Sequence, residues 1–349
     1  MERNTFLWIA ALLILVGVSA IILDTTDFTP LRSYFGDGAC GGVYQPGSGN
    51  FDITGNVTCL NEVFTVNGNI TVKAGGNLTV LNSTISIDPD AGQNLFVTVT
   101  SAAKGMTLRG STIKSADGQQ YLFKVSGRFV SFNSVIGDLG RQGAGPIEGL
   151  MLQTNNIILK DTTVKDSEAG IILNADGIII DNAVLQNFEY EAIRVVNGNN
   201  ALIRSCTITQ TTTADVFVTS GSQSDTVELR GCSFNSSRIS VDSSTSKVNV
   251  SWFTDVYVND SSGNPVSNAF VNVTNDDNVT IFTGYTDANG YLRGKWVTEK
   301  SVLSSSTIVL NPYLYTATKA GYPQGNWLAT VVTNRMIVLQ LGETGGGDY

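Results

Sequence analysis

A six-residue motif returns seven times in this chain, and its fourth position is never large. It reads VLNSTI from Val80, LRGSTI from Leu108, SFNSVI from Ser131, LKDTTV from Leu159, IDNAVL from Ile180, IRSCTI from Ile203 and LRGCSF from Leu229. Successive copies lie 28, 23, 28, 21, 23 and 26 residues apart. The fourth position holds Ser83, Ser111, Ser134, Thr162, Ala183, Cys206 and Cys232, and the sixth holds Ile85, Ile113, Ile136, Val164, Leu185, Ile208 and Phe234. A fixed period of this size marks a solenoid. A second apolar run falls between copies, as LFVTV at Leu95, YLFKV at Tyr121, GLMLQ at Gly149, GIILN at Gly170, AIRVV at Ala192 and DVFVT at Asp215. Two strands per coil are therefore expected. Coils stacked about 4.8 Å apart turn equivalent residues into ladders inside a narrow core. A column in such a core must stay small, which explains the fourth position.

The stretch EAGIILNADGIIIDNAVLQNFEYEAIRVVNGNNALIRSCTI, Glu168 to Ile208, carries a resemblance. It is similar to the right-handed parallel β-helix superfamily, in particular its branch of carbohydrate-binding proteins and sugar hydrolases. The β-helix is assigned to residues 51–250. After it, VYVNDSSGNPV at Val256, YTDANGYL at Tyr285 and KAGY at Lys319 alternate strand and turn signals. This part resembles a transthyretin-like module of the carboxypeptidase regulatory type, a small β-sandwich over residues 253–341, which in that family is non-catalytic. The tail 342–349, GETGGGDY, is expected to be disordered. The fold class is all-β: a right-handed β-helix, a small C-terminal sandwich and one N-terminal helix.

That helix is the uncharged run FLWIAALLILVGVSAIIL, Phe6 to Leu23. It is just long enough to span a bilayer and follows a short polar start. Residues 1–23 read as a signal anchor or a cleavable signal peptide, and 24–50 as a linker and cap. Either way the rest of the chain is expected outside the cell, anchored to the membrane through 6–23 or secreted.

Composition narrows the chemistry. Histidine is absent, which removes Ser–His–Asp triads, Cys–His dyads and His-ligated zinc. The formal charge is −9, so nucleic acid is a poor partner. Acids gather on the loops that follow the repeated motif: Asp138, Glu148, Asp166, Glu168, Glu189 and Glu191, with Arg194 beside them. Stacking brings Asp166 and Glu168 towards Glu189 and Glu191. Such a set can ligate Ca²⁺, bind a ligand or work on a glycosidic bond, or be no more than solvated loop charge. Polysaccharide lyases of the β-helix superfamily use Ca²⁺-binding acids and an Arg; polygalacturonase-like members use Asp residues and a His. Neither motif matches residue by residue, so no catalytic residue is assigned. Asp161 and Asp181 are placed in the turn column of Asn82, Asn133 and Gly110, as a corner ladder.

Cys206 and Cys232 share a column in adjacent coils, so they are either bonded or stacked as thiols; Cys40 and Cys59 are the other candidate pair. Nine N-x-S/T sequons fall at Asn56, Asn69, Asn77, Asn82, Asn235, Asn249, Asn259, Asn272 and Asn278, all outside the middle coils. Trp252, Trp296, Trp327, Tyr285, Tyr291, Tyr313 and Tyr322 fit either a sandwich core or a sugar platform. The reading as a whole is a non-enzymatic structural or adhesive protein of an archaeal or bacterial cell surface. The alternative is a carbohydrate-binding protein, or a polysaccharide lyase or hydrolase, using the β-helix face. Polysaccharide or another surface protein is the expected partner, and exposed solenoid ends allow self-association.

Overall fold

The computed structural model describes residues 38–89, 94–141, 147–198, 200–219, 221, 225–342 and 346–348. The anchor or signal segment 1–23 lies outside them. Among the described residues, no helix is long and apolar enough to cross a membrane.

The chain forms a parallel β-solenoid of about eight turns. The first seven coils contribute three strands each, one more than the sequence suggests. In the second coil these are Ile70–Val72, Asn77–Leu81 and Thr84–Ile87. The first sheet stacks nine strands from Phe51–Ile53 to Ile239–Val241, and the third stacks seven from Val63–Val66 to Thr207–Thr211. The second sheet begins at Asn56–Leu60 and runs beyond the solenoid. Alternating residues face inward and build aliphatic columns. One runs Phe64, Ile85, Ile113, Ile136, Val164, Leu185 and Ile208, all buried.

The extra strand comes from a corner hidden inside the repeated motif. The motif's first two residues close a second-sheet strand, and in the first six copies its last two open a third-sheet strand. Its third position turns the chain with a left-handed backbone: Asn82, Gly110, Asn133, Asp161, Asn182, Ser205 and Gly231 all have φ between 45° and 62°. Gly, Asn and Asp tolerate this region best. At Gly110 a side chain would also meet the Asn82 carboxamide oxygen, 2.7 Å from a built Cβ. Asp161 sits in this column as expected. Asp181 does not: it ends a strand one residue earlier, and Asn182 takes the turn. Asn182 then donates from Nδ2 to Asp161 Oδ1 at 2.6 Å.

The small fourth position points into the core at that corner. Its hydroxyls form a ladder: Glu62 N donates to Ser83 Oγ, Ser83 N to Ser111 Oγ and Ser111 N to Ser134 Oγ, at 3.0, 3.2 and 3.2 Å. Each serine donates its own proton to the carbonyl two residues back. Backbone amides that the bend removes from the sheet ladders are thereby satisfied. Cysteines continue the column, with Cys206 N at 3.2 Å from Cys232 Sγ. Disulfides join Cys206 to Cys232 and Cys40 to Cys59, with Cα separations of 4.4 and 4.1 Å.

Both solenoid ends are covered. At the first, Tyr44 packs against Phe51 and Phe64 with ring centroids 4.9 and 5.7 Å away, and Glu62 accepts the Cys40 N–H. At the second, the 13-residue strand Lys247–Asn259 leaves the solenoid without a linker. Its start pairs in parallel with Thr226–Arg230, its end in parallel with Arg335–Gln340, and Tyr291–Val302 runs antiparallel along its other edge. A small antiparallel sheet of Phe270–Thr274, Thr280–Tyr285, Tyr313–Thr318 and Gly325–Ala329 follows. A second apolar cluster, including Val256, Val258, Val271, Tyr313, Tyr315 and Ile337, joins residues of this sheet to the far part of the second sheet. Trp252 touches both cores. In the tail, Gly346–Asp348 lies parallel to Trp327–Ala329, where the sequence suggests disorder.

Three substitutions test the corner. Asn133→Val should cost about 1–2 kcal/mol, the penalty of a left-handed β-branched residue, whereas Asn133→Gly should be nearly neutral. Ser111→Ala should cost about 1–3 kcal/mol by stranding the buried Ser83 amide. Denaturant midpoints of the three variants decide. Equal effects of Gly and Val at 133 would contradict the corner conformation.

Candidate functional site

The acids singled out in the sequence lie where the third sheet hands the chain to the first. Here too the turn residues are left-handed: Asp138, Asp166, Asn187 and Gln210 have φ of 61°, 51°, 61° and 56°. The following residue, Leu139, Ser167, Phe188 or Thr211, points inward and is buried. Asp166 is therefore a turn residue. Its carboxylate accepts from Asn187 Nδ2 at 2.7 Å and pairs with Lys165 at 3.0 Å. These partners, Asn187 foremost, hold it below the usual carboxylate range.

Glu168 has a different task. Its Oε2 accepts the backbone N–H groups of Arg141 and Glu148, both at 3.1 Å. One carboxylate thus ties together the backbone at Arg141 and Glu148, between the fourth and fifth coils. Arg141 also reaches Glu148 at 3.4 Å. Burial raises the Glu168 carboxyl above its ordinary value; the two N–H groups oppose this, and the carboxylates of Glu189 and Glu148 add to it. Burial likewise raises Asp138, whose Oδ2 accepts the Ser115 N–H at 2.9 Å. Glu191 is buried and turns towards Arg194 rather than Glu168. The Arg194 Nη2 lies 3.0 and 2.9 Å from its two oxygens, and the guanidinium sits over the Phe217 ring at 5.2 Å. Glu189 is exposed.

Of the five candidates, Glu191 and Arg194 form an ion pair, and among the acids Glu168 lies close enough to Glu189 for their charges to interact. Glu168 is engaged by main chain, Glu191 by Arg194, and Asp166 by Asn187 and Lys165. A metal would have to displace those bonds. The Cys40, Cys59 and Glu62 atoms also lie together, but the two sulfurs are bonded to each other. Arg141 was not legible in the sequence because it stands 27 residues from Glu168. Neither was Asp215. It is buried, accepts from Asn235 N at 2.8 Å and pairs with Arg238 at 3.5 Å, which fixes the last coil.

The aromatic set divides. Tyr313 and Tyr315 are core residues, and burial raises both hydroxyls to about 12. Trp252, Trp296 and Trp327 are half-buried, while Tyr285 and Tyr322 are exposed. The sequons divide too. Asn56, Asn82, Asn235 and Asn278 are exposed. Asn249 is engaged on both sides of its amide, donating to Glu228 at 2.6 Å and accepting from Ser301 at 2.7 Å.

No family model matches this chain, and no curated protein matches it. Among solved structures it is similar to ORF18 of Geobacillus virus E2, at 10% identity and a TM-score of 0.25, over 84% of this chain and 68% of that one.

Two predictions follow from these contacts. Because the folded-state pKa of Asp166 is depressed, its contribution is present above the ordinary carboxylate pKa, about 3.9, and is lost as pH falls through the folded value. Asn187→Ala should therefore lower the melting temperature at pH 7, with the difference from the parent shrinking as pH drops below about 4. A pH-independent difference would contradict this role. Arg194→Ala strands the buried Glu191 charge and should cost about 3–5 kcal/mol; a loss under 1 kcal/mol, on the same scale, would mean that Glu191 is not held by the pair.

Proposed function

We propose that this chain is an exported, cell-surface structural or adhesive protein without catalytic activity. Residues 6–23 tether it, the solenoid is a stiff stalk and interaction surface, and the C-terminal module is an accessory domain at the far end. The finer assignments belong to this proposal: a right-handed β-helix of the carbohydrate-binding branch, and a module of the carboxypeptidase regulatory type. The shared apolar cluster between two sheets supports the second of these.

The observation that carries the proposal is the strand Lys247–Asn259, which belongs to the solenoid ladder and to the C-terminal module at once. Force applied to the module passes along main-chain hydrogen bonds into the stack, with no linker to absorb it. Eight coil steps at about 4.8 Å make the solenoid roughly 40 Å long. The loop acids support the same reading, since Asp166 stabilises a turn and Glu168 ties backbone at Arg141 and Glu148. Glycans at the exposed sequons would lie on the first two coils and beyond residue 234, leaving the middle coils bare.

The test uses the full chain, expressed in a Gram-positive host with an epitope after Tyr349. Antibody labelling of intact cells should find the epitope at the surface, in the membrane fraction, and protease shaving should remove it. An epitope that is accessible only after lysis would contradict the proposal. Glycopeptide mass spectrometry of chain made in a glycosylating host should find sugar at Asn56, Asn82 and Asn278, and none at Asn249.

A further inference from the structure

The C-terminal sheet carries a shallow depression that neither the stalk nor the loop acids use. It has a volume of about 430 Å³ and is lined by Asn268, Phe270, Tyr285, Lys319, Tyr322 and Gln324, among others. Its floor is the outward face of the sheet. Val271 and Val273 point into the core, so Phe270 and Asn272 point out, and Phe270 pairs across the sheet with Tyr285 and Thr318. The Phe270 and Tyr285 rings lie 5.3 Å apart. One wall is the turn 319–324. Tyr285 is 62% exposed and Tyr322 44%, values that separate them from the buried tyrosines of the same sheet.

The polar groups are as specific as the rings. Next to the aromatic row lies a row of amides and hydroxyls, Thr283, Asn272, Thr316 and Asn326, in direct register. Gln324 donates from Nε2 to Asn326 Oδ1 at 2.7 Å, which ties the lining to the row of amides. Lys319 is the one charged residue in the lining. Its ammonium is held by the carbonyls of Ser267 and Asn268, at 2.9 and 3.4 Å, and keeps a third proton to donate. Among the described residues no carboxylate lines the depression, on a chain of formal charge −9.

We infer that this depression is a binding site for an acidic saccharide. The ring faces take the C–H face of a pyranose, since aromatic side chains offer a flat apolar surface with a polar tip. The amides and hydroxyls take its hydroxyl groups, which need donors and acceptors side by side. Lys319 takes the sugar's carboxylate, and the charge complementarity selects acidic over neutral sugars. The site lies on the C-terminal module, not on the β-helix face. It stands apart from the stalk reading, because surface exposure does not depend on it.

The test is titration calorimetry of the full chain, solubilised in a detergent without a sugar headgroup. The probes are a hexa-mannuronate and, as the neutral comparison, cellohexaose and mannohexaose. The hexa-mannuronate should bind, and more tightly than either neutral sugar. Tyr285→Ala and Tyr322→Ala should each weaken it at least tenfold. Lys319→Gln should weaken it and flatten its salt dependence. Tyr190→Ala, on a distant loop, should leave it unchanged, and unaltered melting temperatures would show that the variants fold. Absence of hexa-mannuronate binding, equal binding of the neutral sugars, or binding indifferent to Tyr285 and Tyr322 would overturn the inference.

Discussion

The structure depends on one bend, repeated in every coil. A left-handed residue turns the chain, and the next residue drops a small polar side chain into the corner. The two requirements are coupled. The left-handed turn pulls a backbone amide out of the sheet ladders, and at Glu62, Ser83, Ser111 and Cys206 the neighbouring coil's hydroxyl or sulfur receives it. Ser111 accepts from Ser83 N and is itself followed by Ser134, so one coil's bend is completed by the next. A larger side chain would push the coils apart, and an aliphatic one would leave the amide unpaired. Ala183 shows the tolerance of the scheme: small size is kept there while the hydroxyl is given up. Cys206 and Cys232 are the same device with sulfur, closed by a covalent bond.

A repeating ladder has the problem of its ends, and each end here is solved differently. Among the described residues the first coil has no lower neighbouring coil, and the small position becomes Glu62, whose carboxylate reaches out to the Cys40 amide. Aromatic rings close the core there. The last coil keeps its strand going for 13 residues, until it has become part of another sheet. Exposed strand edges invite pairing with other chains, and both devices cover the stack's ends. The continuous strand also makes the C-terminal module an extension of the solenoid, and it places the Tyr285 and Tyr322 surface on that extension.

Much of the solenoid was legible because its physics repeats. Seven aligned motifs reveal a column, and a column that is always small implies a tight inward position. The number of strands per coil was not legible. The corner lies inside the motif, between residues that all favour strands, and periodicity alone does not show a bend. Asp181 was misplaced by one position for a related reason, since Asp and Asn both suit a turn and only the backbone shows which one makes it. The loop acids mark the limit of spacing arguments. Stacking does bring Glu168 towards Glu189, but whether a carboxylate faces solvent, a guanidinium or a pair of amides depends on side-chain direction. Glu191 turns to Arg194, three residues away, and Glu168 turns to a loop 20 and 27 residues back. The split among the aromatics was equally hidden, because it follows from which strand face each residue occupies.

Cross-linking tests the corner column most directly. The pair Ser83→Cys and Ser111→Cys places two thiols where adjacent coils now share a hydrogen bond, in the same relation as Cys206 and Cys232. Non-reducing peptide mapping after mild oxidation should recover the 83–111 disulfide in high yield. The pair Ser83→Cys and Ser134→Cys, two coils and roughly 10 Å apart, should remain as free thiols. Bonding of the 83–134 pair, or failure of the 83–111 pair in a folded variant, would contradict the stacked column on which the fold rests.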